Sequence, residues 1–392
     1  VNAVKKKKLL FLGCNFKLEE IYTGTPQNNG AMAYSFDILC ELQKYFDVTV
    51  LTDNPSFFVK KNFKAVNIFS DNELDVNFSE KWRSLFCFNT ESGKIFQRDV
   101  FYRNWSIISL LNTELFNKVL KDTSYSYIVF NRIEYLFLSF LCKNQAIKKI
   151  FVTQDSQYIR KKNFSKIYRD NHPLMAVEGL YEKHLLSQFV KIIAISPNEF
   201  KYFDALYPKK TLLFRPTIST PKALAKIEKN PNCIRVYFIG SGHFYMKQQF
   251  LQAYEIVKHL RKNKWNIEFY GIGAFCKILS KSELNNNEYK ILGEIEDLNK
   301  VMLDMQVQIA TITSGSGVPT KIACGLSFGH FILTTNFGKK AFEEFENKRL
   351  FFDASPDTSL RKMIKLSKED DDDFSAYYDY SKKNNLMGLL NK

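Results

Sequence analysis

Short apolar runs that break into glycine-bearing turns, each followed by apolar positions at helical spacing, recur along this chain and predict alternating strands and helices. The pattern is clearest from Val307 to Thr335. Val307 to Ile312 reads as a buried strand that breaks into Ser314, Gly315, Ser316 and Gly317. Pro319 suits the first position of a helix predicted over 320–328, Gly329 its C-terminal cap, and Phe331 to Thr335 the next strand. The N-terminus of such a helix exposes unpaired N–H groups and roughly half a positive charge, and Lys321 adds a full charge in the first turn. An anion such as a phosphate ester is stabilised there. A packing role for the glycines fits the local pattern equally well.

The same alternation opens the chain. Lys8 to Cys14 is a predicted strand, 31–45 a helix through Phe36, Leu39 and Leu42, and Val48 to Thr52 a second strand. The loop between them contains Gly24, Asn29 and Gly30 but no Gly-x-Gly-x-x-Gly, so a dinucleotide would find no close-approach turn. From Asn54 to Ser124 the pattern is unclear, with an aromatic helical stretch over 101–120. Strands resume at Tyr125 to Phe130, Lys149 to Thr153 and Val190 to Ser196, with a helix over 174–188. Phe214 to Asn232 holds three prolines and no apolar period, and reads as a linker. A second series follows: strand Ile234 to Ile239, helix 246–261, strands Trp265 to Tyr270 and Tyr289 to Leu292, and helix 298–305. The expected architecture is α/β, with a first Rossmann-like domain over 1–213, a linker over 214–232, a second over 233–370 and a terminal helix over 371–392.

Composition supports a folded chain, since 45% of its 392 residues are hydrophobic and 15% aromatic, ample for two cores. The net charge of +15 favours anionic partners without choosing among them. The seven cysteines are scattered and never spaced Cys-x-x-Cys, which fits reduced thiols in the cytosol. Lys5 to Lys8 before Leu9 to Leu12 imitates a signal peptide, but the apolar run is too short. No stretch reaches the length of a membrane span.

Five features in order, the Asn29-Gly30 loop, Gly240-Ser241-Gly242 with Lys247, Gly271-Ile272-Gly273, Gly293-Glu294-Ile295 and GSGVPTKIACGLSFG, resemble GT-B glycosyltransferases of the group 1 type, family 4. The resemblance covers mainly 233–338. It implies two Rossmann-like domains facing a central cleft, with the C-terminal helix returning to the first domain. It also implies transfer of a sugar from a UDP- or GDP-sugar to a glycan, lipid-linked or protein acceptor, in cell-envelope or surface glycoconjugate synthesis. Gly240, Ser241, Gly242 and Lys247 would then grip the diphosphate; Gly271 and Gly273 would lie beside the nucleotide, and Glu294 and Ile295 against its base. Gly315, Gly317, Val318 and Lys321 would complete the donor site, and Asn29 and Gly30 an acceptor loop. The family often has Arg where Ser241 stands. Its E-x7-E carboxylates are replaced by Ser316 and Cys324, which removes a charged contact to the donor sugar. A non-catalytic GT-B-like subunit that directs a partner transferase is therefore the second expectation.

In the first domain the strand end VTQDSQ presents Gln154, Asp155 and Ser156. Asp155 is a candidate general base, or equally a helix cap. Ser316 is the second candidate catalytic residue. His243 and His330 flank the nucleotide loops as candidates for polar contacts, whereas His172 and His184 read as structural. No metal-ligand spacing occurs, so neither metal nor cofactor is expected. A basic, aromatic stretch over 158–169 offers a peripheral contact with the inner face of the plasma membrane or a solvated face; no motif for nucleic acid is present.

Overall fold

Parallel strands covered on both faces need near-continuous apolar runs, and the chain supplies two sets of them. The computed structural model describes residues 6–14, 30–69, 88–90, 93–95, 111–142, 144, 146–154, 159, 175–215, 225, 227, 233–242, 244–284, 286–295, 297–313, 317–342, 349–351 and 355–367. The first set is β1 (Lys7–Cys14), β2 (Phe46–Thr52), β3 (Lys64–Asn67), β6 (Tyr125–Asn131), β7 (Lys148–Val152), β8 (Lys191–Ala194) and β9 (Thr211–Leu213). A small antiparallel hairpin of β4 (Phe88–Thr90) and β5 (Gly93–Ile95) stands apart. The seven strands form one sheet in the order β3-β2-β1-β6-β7-β8-β9, parallel throughout.

Helices α1 (Gly30–Gln43), α2 (Thr113–Lys121), α3 (Met175–Leu186) and α4 (Pro197–Leu206) connect these strands. Two cores result. One is built on Leu10, Leu12, Phe130 and Phe151 and the other on Leu9, Phe11, Val50 and Val129, because successive residues of β1 point to opposite sides. Asn112 and Ser196 cap α2 and α4 through their side chains, which sets where those helices begin.

The second sheet runs β12-β11-β10-β13-β14-β15 and is again parallel. Its strands are β10 (Ile234–Ile239), β11 (Ile267–Ile272), β12 (Lys290–Gly293), β13 (Val307–Ala310), β14 (Phe331–Thr334) and β15 (Leu350–Phe351). Helix α5 (Phe244–Lys262) follows β10, α6 (Thr320–Ser327) follows β13, and α7 (Pro356–Leu366) closes the described part. Phe238, Phe250, Phe269 and Phe275 pack ring against ring between α5 and the sheet.

Two doubly wound α/β units are therefore present, as the alternation predicts. Differences are local. The helix predicted over 298–305 is a single turn, Asn299–Met302, after which Leu303 lies 71% exposed. Pro319 precedes the helix as its N-cap instead of occupying its first position. Of the linker, Phe214 stays with the first sheet through Phe214 N–H to Ala194 O. Ala225 and Ile227 are tied to the second domain, through Gly329 and Ser367. The terminal helix over 371–392 and most of the 158–169 stretch lie outside the described residues.

Candidate functional site

In each sheet the chain winds outward in both directions from a central pair of strands, β1 and β6 in the first and β10 and β13 in the second. Ligands of such sheets bind beyond the C-terminal ends of that pair, where the connections diverge.

In the second sheet β10 ends at Ile239. Gly240 is buried, and Ser241 and Gly242 are exposed before α5. Gly273 has φ 111°, and a Cβ there would lie 2.2 Å from Gly240 O, so this glycine is fixed by the close approach of two strand ends. A Cβ on Gly271 would lie 2.7 Å from Ile291 Cδ1, again a packing reason. Gly242 is different: a Cβ would meet only Ala274 at 3.6 Å, and packing does not demand a glycine.

Across the pair, β13 runs into Thr311, whose hydroxyl donates to Gln249 O at 2.6 Å and ties the strand end to α5. Gly315 and Ser316 fall outside the described residues. Gly317 and Val318 lead into α6, where Pro319 offers no side-chain acceptor and the first turn holds no acid. The first turn of α5 holds none either. Lys321, in the first turn of α6, reaches across to α5. Its Nζ lies 3.2 Å from Gln249 Oε1, 3.3 Å from Met246 Sδ and 5.1 Å above the Phe238 ring. No carboxylate among the described residues pairs with it. Burial alone pushes its pKa down from 10.5 to about 8.

Lys247 presents the opposite case. Its Nζ is 2.8 Å from Glu283 Oε2, and Lys247 together with the Ser280 N–H holds that carboxyl below its ordinary pKa. Glu294 is ion-paired with Lys277, and Ile295 packs in the apolar cluster of Tyr237 and Tyr270. Cys324 packs against the same cluster, and burial pushes its thiol up to about 11. His330 does not meet the expectation of a polar contact to ligand. It is 1% exposed, and both ring nitrogens are used. Nε2 lies 2.9 Å from Met302 O and must carry the proton, so Nδ1 accepts from Tyr237 OH at 2.9 Å. Desolvation, the main cause, pushes its pKa down to about 4.

In the first sheet Gly13, at φ 139°, lets β1 approach β6 so closely that a Cβ would lie 2.3 Å from Asn131 O. There Asn131 Nδ2 donates to Ser35 Oγ at 2.8 Å. Gln154 Nε2 donates to Ser35 Oγ at 2.8 Å and to Asn131 Oδ1 at 2.9 Å. Gln154 Oε1 is buried and has no hydrogen-bond partner among the described residues. The next residue after Asn131, Arg132, sits at φ 88°, ψ 150°, a conformation that side chains avoid. Ser35 and Asn131 escaped the sequence reading; a polar residue on an otherwise apolar helix face and another at a strand end were the available signals. Asp155 and Asn29 lie outside the described residues, and Gly30 is the first residue of α1. Among the described residues no group of three His, Cys, Asp or Glu side chains could hold a metal ion, and no helix is long and apolar enough to cross a membrane.

No sequence-family profile matches the chain, and no curated protein is detectably similar in sequence. Solved structures do match over nearly its whole length. TarM from S. aureus superposes with a TM-score of 0.64 at 11% identity, covering 100% of this chain and 98% of that one. Anabaena HepE in complex with UDP-glucose gives 0.59 at 12% identity, over 95% and 93% of the two chains. The fold is GT-B. A third GT-B neighbour, WaaG, described as a glycosyltransferase involved in lipopolysaccharide biosynthesis, gives 0.55 at 12% identity over 97% of each chain.

Proposed function

We propose that this GT-B protein is a glycosyltransferase of the family 4 type. It would bind a nucleoside-diphosphate sugar where β10 and β13 diverge and pass the sugar to a saccharide, lipid-linked or protein acceptor held where β1 and β6 diverge. One observation carries the reading. Lys321 pairs with no carboxylate among the described residues and lies between two helix N-termini whose first turns also lack acids. Such a site is electrostatically incomplete until an anion arrives. The neighbours crystallised with UDP or UDP-glucose support a nucleotide-sugar as that anion.

The leaving diphosphate gains negative charge as the glycosidic bond breaks, and a fixed cation beside it stabilises the transition state more than the ground state. Lys321 fills that role in this reading, with the α6 amides and the open turn at Ser241 and Gly242. Lys247 joins them by exchanging Glu283 for phosphate. Gly315, Gly317, Val318 and Cys324 line the sugar and ribose side, with Glu294 and Ile295 toward the base. Ser316 is the uncharged substitute for a carboxylate that would otherwise face the donor sugar. Asp155, next to the Gln154 amide, is the candidate general base for the acceptor hydroxyl, and Asn29 and Gly30 border the acceptor. No metal enters this scheme, because the lysines and helix amides supply the positive charge.

Melting curves with UDP, GDP and a panel of their sugars test the proposal. A clear rise in melting temperature with one nucleotide, and a glycosylated product by mass spectrometry, are expected. No shift with any nucleotide would overturn it and favour the non-catalytic subunit suggested by the absent carboxylates.

A further inference from the structure

Lys321 is flanked by two buried glutamines, and among the described residues of the second domain no acid is buried. Gln308, on β13, is fully buried, and its Nε2 donates to Lys321 O at 3.1 Å. Gly325 makes room for that side chain, since a Cβ there would lie 2.4 Å from Gln308 Oε1. Gln249, on α5, is 4% exposed, and its Oε1 receives Lys321 Nζ at 3.2 Å. One amide holds the main chain of the lysine and the other its ammonium.

Gln249 has a second bond. Its main-chain oxygen receives Thr311 Oγ1 at 2.6 Å, for which a carbonyl inside a helix has a spare lone pair. Thr311 directly follows β13, and Lys321 is the second residue of α6. This one glutamine is therefore bonded on both sides of the connection over 312–319, which includes Gly315, Ser316, Gly317 and Val318.

The residue type is informative. A lysine drawn out of water ordinarily meets a carboxylate, because an unpaired charge is costly to bury. Glutamate has the length of glutamine and would supply that partner, but it would also cancel the positive charge. An amide oxygen accepts the same hydrogen bond and cancels nothing.

We infer that Gln249 is a positioning residue for the donor diphosphate: it holds the Lys321 ammonium in place between α5 and α6 without neutralising it. Gln249 acts through Lys321, and the identity of the anion rests on the glycosyltransferase reading above. The Thr311 bond fixes the Gln249 main chain against the strand end, so the lysine is held from a rigid base.

Titration with UDP by calorimetry, and with uridine by ligand-detected NMR, tests it on wild type and variants. Gln249→Met keeps the volume and removes the side-chain acceptor, so UDP should bind about tenfold more weakly. Uridine, which has no phosphate, should bind as it does to wild type. Gln249→Glu places a carboxylate against the ammonium, and UDP should bind at least about a hundredfold more weakly with no fall in melting temperature. In a Lys321→Met background, Gln249→Met should change UDP affinity by less than about twofold, because the group through which it acts is gone. A strut would instead lower uridine affinity and melting temperature together, and would do so with or without the lysine. Unchanged UDP affinity in Gln249→Met, an equal loss for uridine, a loss that persists in the Lys321→Met background, or tighter UDP binding by Gln249→Glu overturns the inference and leaves the donor site standing. Absence of UDP binding by wild type overturns the donor-site reading and this inference with it.

Discussion

Replacing Lys321 by Met should move stability and ligand affinity in opposite directions. The ammonium sits among Met246, Gln249 and the Phe238 ring, and its pKa falls from 10.5 to about 8 because it is desolvated. That difference corresponds to about 3 kcal/mol by which the fold disfavours the charged lysine. A lysine depressed in the folded state binds its proton more weakly there than in the unfolded chain. Stability therefore rises with pH between about 8 and 10.5, and the whole cost is present at pH 7. Met fills similar volume without charge. After subtraction of roughly 1 kcal/mol for the lost hydrogen bond to Gln249, Lys321→Met should be about 2 kcal/mol more stable than wild type at pH 7.

Nucleotide binding should suffer. A unit charge about 4 Å from a phosphate at an effective dielectric near 20 contributes about 4 kcal/mol, so UDP should bind at least about a hundredfold more weakly. Calorimetry near pH 8.5, in buffers of different ionisation enthalpy, adds a signature that packing alone cannot imitate. A phosphate raises the lysine pKa, so wild type takes up protons as it binds UDP and the variant does not. A variant that is less stable than wild type and binds UDP unchanged would refute the reasoning and make Lys321 a structural strut.

Other expectations follow from the same contacts. His330, held near pKa 4 in the fold, is protonated first in the unfolded chain; the second domain should lose about 3 kcal/mol as pH falls from 6.5 to 4, and His330→Gln should flatten that limb in urea titrations. Gly273→Ala forces a Cβ to 2.2 Å from Gly240 O at φ 111° and should cost more than about 2 kcal/mol, whereas Gly242→Ala should leave the melting temperature almost unchanged and weaken UDP; equal behaviour of the two would remove Gly242 from the site. If Lys247 leaves Glu283 for phosphate, Glu283→Gln should tighten UDP binding about fivefold and Lys247→Ala weaken it about tenfold in direct titrations, and changes of the same sign would exclude the exchange.

What could be read from sequence, and what could not, divides by range of interaction. Ile234 to Ile239 was legible to the residue, because a strand buried on both faces must be apolar throughout and its ends are marked by local chemistry. The helix expected over 298–305 failed for a non-local reason: Gln306 is already committed to Arg235 at the start of β10, through both its N–H and its side chain, so the chain must leave the helix early. The candidate site shows the same division. Glycines at turns and Lys321 in a first helical turn are local signals and were visible. Their electrostatic value was not, because it depends on which group neutralises which. Lys247, expected to grip the diphosphate, is matched by Glu283, 36 positions away, while Lys321 meets neighbours 72 and 75 positions back that carry no charge. Ser35 and Asn131, which hold the Gln154 amide, are 96 positions apart and meet only because Gly13 lets β1 close on β6. A strand pattern fixes where such groups can converge, but only the converged structure decides that a half-buried lysine meets no carboxylate among the described residues, and the proposed affinity for a diphosphate rests on that imbalance.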